Sequence, residues 1–286
     1  MRNGLLALVA FALMAPAAGA ACLDTPEVAR LGAAIIERRR VPDLPRGLSL
    51  ADARCTQQKL VALLAQPWGD TVGYKVGLTN RVAQERFGVP HPLRGAIFHG
   101  TLRARSGAEL PAGFGVVPVV EADLLVRVRD DAINSAGSDH LAILRSLDQV
   151  IPFIELPDLV VQQGQPMDGG ILQAINVGAR LGVMGEPIAV EASEAFARRL
   201  GTMEVVLLDD RRELARAPGS ALLGHPLNVI PWLVQDLAAE GRRLRAGEYV
   251  SLGGFSPTLP VETGRTYTSR YEGLLERPVT VSVRMQ

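Results

Sequence analysis

"VVPVVEADLLVRV", residues 116–128, decides the fold class. Read with the two-residue period of a strand, it places Val120, Ala122, Leu124, Val126 and Val128 on one face and Val119, Glu121, Asp123 and Leu125 on the other. Glu121 and Asp123 then project side by side, about 7 Å apart, from an otherwise apolar surface. Two ionised carboxylates in that setting repel each other and resist desolvation unless a cation or hydrogen-bond donors compensate them. A hard divalent cation such as Mg2+ or Mn2+ would do so. An edge strand with its acids in water or paired to arginines is the alternative.

Outward from this stretch the chain changes texture at Trp68. Before it, apolar spacing over Glu27–Arg39 and the Ser49 cap ahead of "LADARCTQQKLVALLAQ" predict two helices. After it, β-type runs at 71–78, 150–156, 202–208, 248–253, 265–271 and 278–284 alternate with helical stretches at 80–87, 139–148, 191–200 and about 227–241. The pattern predicts a sheet-rich α+β chain with a helical N-terminal portion. It carries no nucleotide-binding glycine loop, zinc-type Cys/His cluster or G-x-S-x-G elbow.

Only two of the 30 basic residues are lysines, Lys59 and Lys75. Lys75 lies in "DTVGYKVGLTN", residues 70–80, and shares its strand face with Gly73 and Gly77. Glycines on both sides leave room for a ligand or another backbone. Unlike arginine, a desolvated lysine gives up its proton at accessible cost, which suits proton transfer. A solvated strand lysine is the alternative. In "VIPFIELPDL", residues 150–159, Glu155 ends an apolar run. Two acids on one strand and a third from another suffice to hold an octahedral ion with positions left for substrate and water.

Thirty acidic residues balance the thirty basic ones, which argues against a nucleic-acid or anionic-membrane partner and for a small molecule. Residues 1–20 combine an early Arg2, an apolar run from Leu5 to Met14 and small residues Ala18 and Ala20, the pattern of an export leader. No later stretch is long and apolar enough to span a bilayer. Cys22 and Cys55 are the only cysteines, and in an oxidising compartment they are most simply one disulfide, worth roughly 3 to 4 kcal/mol. Lipidation of Cys22 is the competing reading. Together these predict an exported, periplasmic protein, and a homo-oligomer is the expected assembly.

The motifs "GYKVGLT", "VEAD", "PFIELPD", "AINVGARLGVMG", "LLGHPLNVIPWLVQDLAAEGRRLRAGEYV" and "LPVETG" occur in that order between residues 49 and 284. In order and spacing they resemble the 2-keto-4-pentenoate hydratase and 4-oxalocrotonate decarboxylase branch of the fumarylacetoacetate hydrolase superfamily. The resemblance implies a mixed β-roll with peripheral helices, so that residues 21–70 form the helical portion and 71–286 the catalytic β-roll. It makes Glu121, Asp123 and Glu155 the carboxylates for Mg2+ or Mn2+, Lys75 the acid/base residue and Asn176 an active-site amide. Three positions depart from the family pattern: Asp123 stands for glutamate, Ile175 for aspartate and Leu252 for serine.

The implied reaction is metal-assisted keto–enol chemistry on a 2-oxo or 2-hydroxydienoic acid. A hydratase leads; a decarboxylase or C–C hydrolase of the same superfamily comes next, and a non-catalytic periplasmic binding protein on the same fold is the third reading. His225, in "LLGHPLN", reads as structural, and no catalytic role falls to His91, His99 or His140.

Overall fold

The computed structural model describes residues 21–39, 41, 44–161 and 167–286, and the expected leader at 1–20 lies outside them. Helix α1 (Thr25–Ile36) starts at a capping box in which Asp24 and Glu27 exchange side-chain and backbone bonds. Helix α2 (Leu50–Trp68) is capped by Ser49. Its residues hold the chain that precedes α1: Cys55 is bonded to Cys22, Thr56 accepts from the Leu23 N–H at 3.0 Å, and Lys59 donates to the Leu23 carbonyl at 2.6 Å. Lys59 is therefore a structural tie.

The sheet begins with β1 (Thr71–Gly77), followed by α3 (Arg81–Phe87), β2 (Leu93–Phe98) and the short strands β3 (Ala104–Arg105) and β4 (Ala108–Leu110). The acid-bearing strand is β5 (Val119–Val128). The helix expected over 139–148 is shorter: α4 (His140–Arg145) stops at Ser146, because Leu147 pairs with Val128 and opens β6 (Leu147–Leu156). The remaining elements are α5 (Gly169–Ala174), β7 (Leu181–Met184), β8 (Ile188–Ala189), α6 (Glu194–Thr202), β9 (Glu204–Leu208), β10 (Glu213–Pro218), α7 (Val229–Ala238), β11 (Tyr249–Ser251), β12 (Leu259–Pro260), β13 (Thr266–Glu272) and β14 (Val279–Met285).

Two mixed sheets result. One runs β2-β1-β11-β5-β6-β7-β3, with β12 added on β5 and β8 on β6; the other runs β10-β9-β13-β14-β4. The apolar face of β5, from Val120 to Val128, packs into the main core with Tyr267, Tyr271, Val281 and Val283 of the second sheet. On the opposite face Leu125 joins Ile97, Leu102, Ile151, Phe153 and Met184 in a smaller cluster beside the acids. A third cluster buries α1 and α2 against β2 and α5. No helix among the described residues is long and apolar enough to cross a membrane. The α+β architecture is the expected one: a curled mixed sheet with helices outside and a helical N-terminal portion.

Candidate active site

The acids meet because of strand register. β5 and β6 pair antiparallel with Glu121 opposite Glu155 and Asp123 opposite Phe153, so all three carboxylates face the same side. On the other flank of β5 lies β11, which pairs parallel with β1 and sets Lys75 beside Ser251. Lys75 is 4% exposed, and its Nζ lies 2.6 Å from Glu155 Oε1. The solvated-lysine alternative is thereby excluded. Its neighbour across β2 is Gly95, where a Cβ would stand 2.9 Å from Lys75 Cγ and 2.6 Å from the Asn176 carbonyl, so the lysine passes only because that position has no side chain.

Asp123 is fully buried and strongly held. Its Oδ1 accepts from the N–H groups of Leu124 at 2.5 Å and Gly253 at 3.1 Å, and its Oδ2 accepts from the Ser251 hydroxyl at 2.6 Å. Both lone pairs of Oδ1 are taken, which leaves Oδ2 with one free position toward a ligand. Glu121 is half-buried beside Gly254, where a Cβ would come 2.9 Å from Glu121 Oε2. Below the acids, the Tyr271 hydroxyl accepts from the Phe153 N–H at 2.9 Å and donates to the Asp123 carbonyl, pinning β5 and β6 from the second sheet.

Burial, reinforced by Glu155 and Asp123 and opposed by Lys75, pushes Glu121 from 4.5 to about 8. Burial and Glu155 push Asp123 from 3.8 to about 7 against its hydrogen bonds from Ser251 and Leu124. Burial would lower Lys75, but the charges of Glu155 and Glu121 outweigh it and hold the ammonium above its usual 10.5. Three carboxylates against one ammonium leave an excess of two negative charges when all are ionised. No group of three or more His, Cys, Asp or Glu among the described residues is arranged to hold a metal as it stands, and Glu155 is turned to Lys75. The donor set fits a hard divalent cation in chemistry and charge: Glu121 lies against Gly254, which has no side chain to displace it, Asp123 keeps a position on Oδ2, and Glu155 lies opposite Glu121.

Asn176 is buried at the edge of this region, in a turn where it, Val177 and Gly178 all have left-handed φ of 59°, 54° and 67°. Its amide copies a neighbouring strand: Oδ1 accepts from the Ala96 N–H at 2.8 Å and Nδ2 donates to the Ala96 carbonyl at 2.9 Å. Gln57 Nε2 donates to the same Oδ1 at 3.0 Å. The Asn176 side chain thus faces β2 and α2, and it supports the strand that faces Lys75. Ile175 and Leu252 are core residues, 3% and 0% exposed. Ser251, one residue before Leu252, donates its hydroxyl to Asp123, a contact that the sequence reading passed over.

Two further residues also lay outside that reading. Arg180 lines the same small cavity as Glu155, together with Ile97, Leu102, Phe153 and Leu181. Trp68, at the end of α2, carries the Arg180 guanidinium 4.6 Å from its ring centre. "AINVGARLGVMG" contains the signal for Arg180, a cation immediately before a β-type run, but nothing in it announces the tryptophan partner from 112 positions earlier in the chain.

No family model matches the chain. It is 28% identical over 204 residues to the 2-keto-4-pentenoate hydratase of Paraburkholderia phymatum, spanning 71% of this chain and 75% of the relative. To the 4-oxalocrotonate decarboxylase of a Pseudomonas species it is 26% identical over 240 residues, 82% of this chain and 88% of the relative. Among solved structures, the 4-oxalocrotonate decarboxylase of Pseudomonas putida G7, complexed with magnesium and adipate, superposes with a TM-score of 0.77 at 24% identity, covering 92% of this chain and 97% of that one. By sequence similarity over most of its length and by fold, the chain belongs to the fumarylacetoacetate hydrolase superfamily, in the branch of 2-keto-4-pentenoate hydratases and 4-oxalocrotonate decarboxylases.

Proposed function

We propose that the protein is a divalent-metal-dependent hydratase of a 2-hydroxydienoate or related 2-oxo acid, with Lys75 as the acid/base residue and Glu121, Asp123 and Glu155 as the metal carboxylates. The observation that carries this reading is the convergence of three carboxylates and one buried lysine on one face of β1, β11, β5 and β6. The magnesium-bound decarboxylase of the same fold and the hydratase relative support it.

A bound Mg2+ or Mn2+ would supply positive charge at the substrate's carboxylate and 2-oxygen, where enolate charge develops. Asp123 is fixed in place by Ser251 and Gly253, so its orientation is set before substrate arrives. Glu155 aims the Lys75 ammonium from 2.6 Å, and Lys75 Nζ carries the proton that moves to or from the carbon chain as a dienol becomes a ketone. Ile97, Leu102 and Phe153 form an apolar wall that keeps bulk water from this carbon chain. Water then adds across the extended double bond.

Decarboxylation passes through the same enolate type, and the matched decarboxylase makes it the second reading. The test is product analysis with purified protein, Mg2+ and 2-hydroxypenta-2,4-dienoate, beside 4-oxalocrotonate. A hydroxylated 2-oxo acid without carbon dioxide is the expected result. Carbon dioxide from the diacid would move the protein to the decarboxylases, and metal-dependent binding without turnover would make it a binding protein. The Cys22–Cys55 bond supports the companion proposal that the protein is exported and works in an oxidising compartment such as the periplasm.

A further inference from the structure

The run "GRRLR", residues 241–245, follows α7 and has no part in the site described above. Cations after a helix often do no more than complement the negative end of its dipole. Here the chain leaves the helix at once: Gly241 takes a left-handed φ of 68°, and the Arg242 N–H closes back on the Leu237 carbonyl at 2.9 Å. Leu244 is fully buried, and Asn134 holds its backbone, accepting from the N–H at 3.0 Å and donating to the carbonyl at 2.8 Å. Arg242, Arg243 and Arg245 therefore stand on an anchored loop rather than on a fraying helix end.

Together with Tyr74 and Glu248 they line a cavity of about 360 Å³, a volume within the range of small-molecule sites. Its walls carry three guanidinium groups and one carboxylate, an excess of two positive charges. The neighbouring acids do not cancel that excess. Arg243 has Asp131 at 3.3 Å, but Arg242 reaches Glu240 only at 4.0 Å, and that carboxylate is already held by Arg94 at 2.7 Å and Arg54 at 3.4 Å. Arg245 meets Glu248 through its backbone N–H at 2.9 Å, and its guanidinium enters no ion pair among the described residues. Tyr74, 2% exposed, gives the cavity a fixed wall: its hydroxyl accepts from Arg242 Nη2 at 2.9 Å, and the guanidinium lies 5.5 Å from its ring centre. That hydroxyl makes no other hydrogen bond among the described residues, which leaves its proton to donate into the cavity. Burial, with the charge of Glu248, raises the phenol above its usual 10, so the proton stays in place at neutral pH.

We propose that this cavity is a binding site for a phosphate dianion, carried by a small phosphate monoester or present as the free ion, with Arg242, Arg245 and Tyr74 as the residues that hold it. Two arginines from one loop and a hydroxyl from β1 bring donors from separate directions, which suits the three oxygens of a tetrahedral group better than a planar carboxylate. The excess of two positive charges matches a dianion, and arginine is the cation best fitted to phosphate. Tyr74 precedes Lys75 on β1 and points to the other face of the strand, so this site does not depend on the metal-site reading.

The test is calorimetry of the full protein at constant, low ionic strength with inorganic phosphate, phenyl phosphate and benzoate, repeated in the presence of Mg2+ and oxalate. At least one of the two phosphates should saturate a single site, and benzoate should bind far more weakly. Tighter binding of phenyl phosphate assigns the site to monoesters, and equal or tighter binding of inorganic phosphate assigns it to the free ion; either result upholds the dianion site. Arg242→Met and Arg245→Met should each weaken binding by about tenfold or more and Tyr74→Phe by about threefold, while Arg81→Met, on α3, leaves it unchanged. Unfolding midpoints without ligand show which variants are folded, and Arg245→Met, which breaks no ion pair, serves even where Arg242→Met does not fold. No saturable binding of either phosphate, benzoate bound as tightly as phenyl phosphate, or affinity unchanged in both arginine variants would overturn the proposal. Loss of phosphate binding on adding Mg2+ and oxalate would overturn it too, by placing the anion at the metal site.

Discussion

Two buried charge clusters lie on opposite faces of the β1–β2 pair, and they differ in how their charges balance. On the Tyr74 side, Arg54 and Arg94 meet Asp236 and Glu240: Arg94 bonds Asp236 at 2.5 Å and Glu240 at 2.7 Å, and Arg54 reaches Asp236 at 2.8 Å and Glu240 at 3.4 Å. Two buried cations face two anions, the exposed Arg242 reaches Glu240 at 4.0 Å, and only Arg54 Nη1 in that set is buried without a partner. On the Lys75 side, one cation faces three anions, two of which burial drives toward their protonated forms. The first cluster is paired cation to anion and ties α2 and α7 to β2. The second holds more acids than cations, and the proposed metal site rests on that imbalance more than on the presence of buried ions.

The largest expected effect separates catalysis from metal binding. Lys75→Met should reduce turnover by about 100- to 10,000-fold, the range associated with loss of a general acid or base, while stabilisation of the protein by Mg2+ persists because the carboxylates remain. Full activity in that variant would remove Lys75 from the mechanism. Next, Arg94→Met should cost about 3–5 kcal/mol in urea unfolding by leaving Asp236 and Glu240 half-paired. That loss should be unaffected by the metal ion, and recovery on adding Mg2+ would show that the two clusters are not independent.

A smaller effect is expected at the N-terminal portion. Cys55→Ser opens the link between residues 33 apart and should lower stability by roughly 3 kcal/mol without changing the response to metal. The smallest is a pH effect at His225, which belongs to neither cluster. Its Nε2 bonds the Ala197 carbonyl at 2.9 Å, its Nδ1 accepts from the Leu227 N–H at 3.1 Å, and its ring stacks on His140 at 4.1 Å. Burial lowers its pKa below 6.5, so the unfolded chain binds the extra proton first and stability falls as pH drops below 6.5. Urea midpoints followed from pH 8 to 5 should show that decline flatten in His225→Gln; an unchanged slope would assign it to other groups.

The sequence was readable where a period repeats. The alternation in β5 placed five apolar side chains toward the core and two acids away from it, and helical spacing located α1 and α2. It was not readable where long-range contact decides. β2, "LRGAIF", is buried at every position, so it shows no alternation, and it went unassigned. α5 begins with two glycines, a poor helical start in isolation, yet Gly169 and Gly170 are needed because Val89 and the Leu48 backbone pass within 2.0 and 2.4 Å of where a Cβ would be. In the site, residue types pointed to Lys75, Glu121, Asp123 and Glu155. The supporting groups Ser251 and Tyr271 were silent, since a serine and a tyrosine acquire their roles only from the strands and helices that fold against them.

The central claim is that the excess negative charge beside Lys75 is a divalent-cation site, and metal titration followed by thermal unfolding tests it most directly. The protein and its Glu121→Ala variant would be titrated in parallel with Mg2+ and Mn2+, each with and without oxalate. The account predicts a rising midpoint for the wild type, equivalent to about 2.7 kcal/mol at a ligand concentration 100 times Kd, and no such rise for Glu121→Ala. No metal-dependent shift in the wild type, or an equal shift in both proteins, would contradict it.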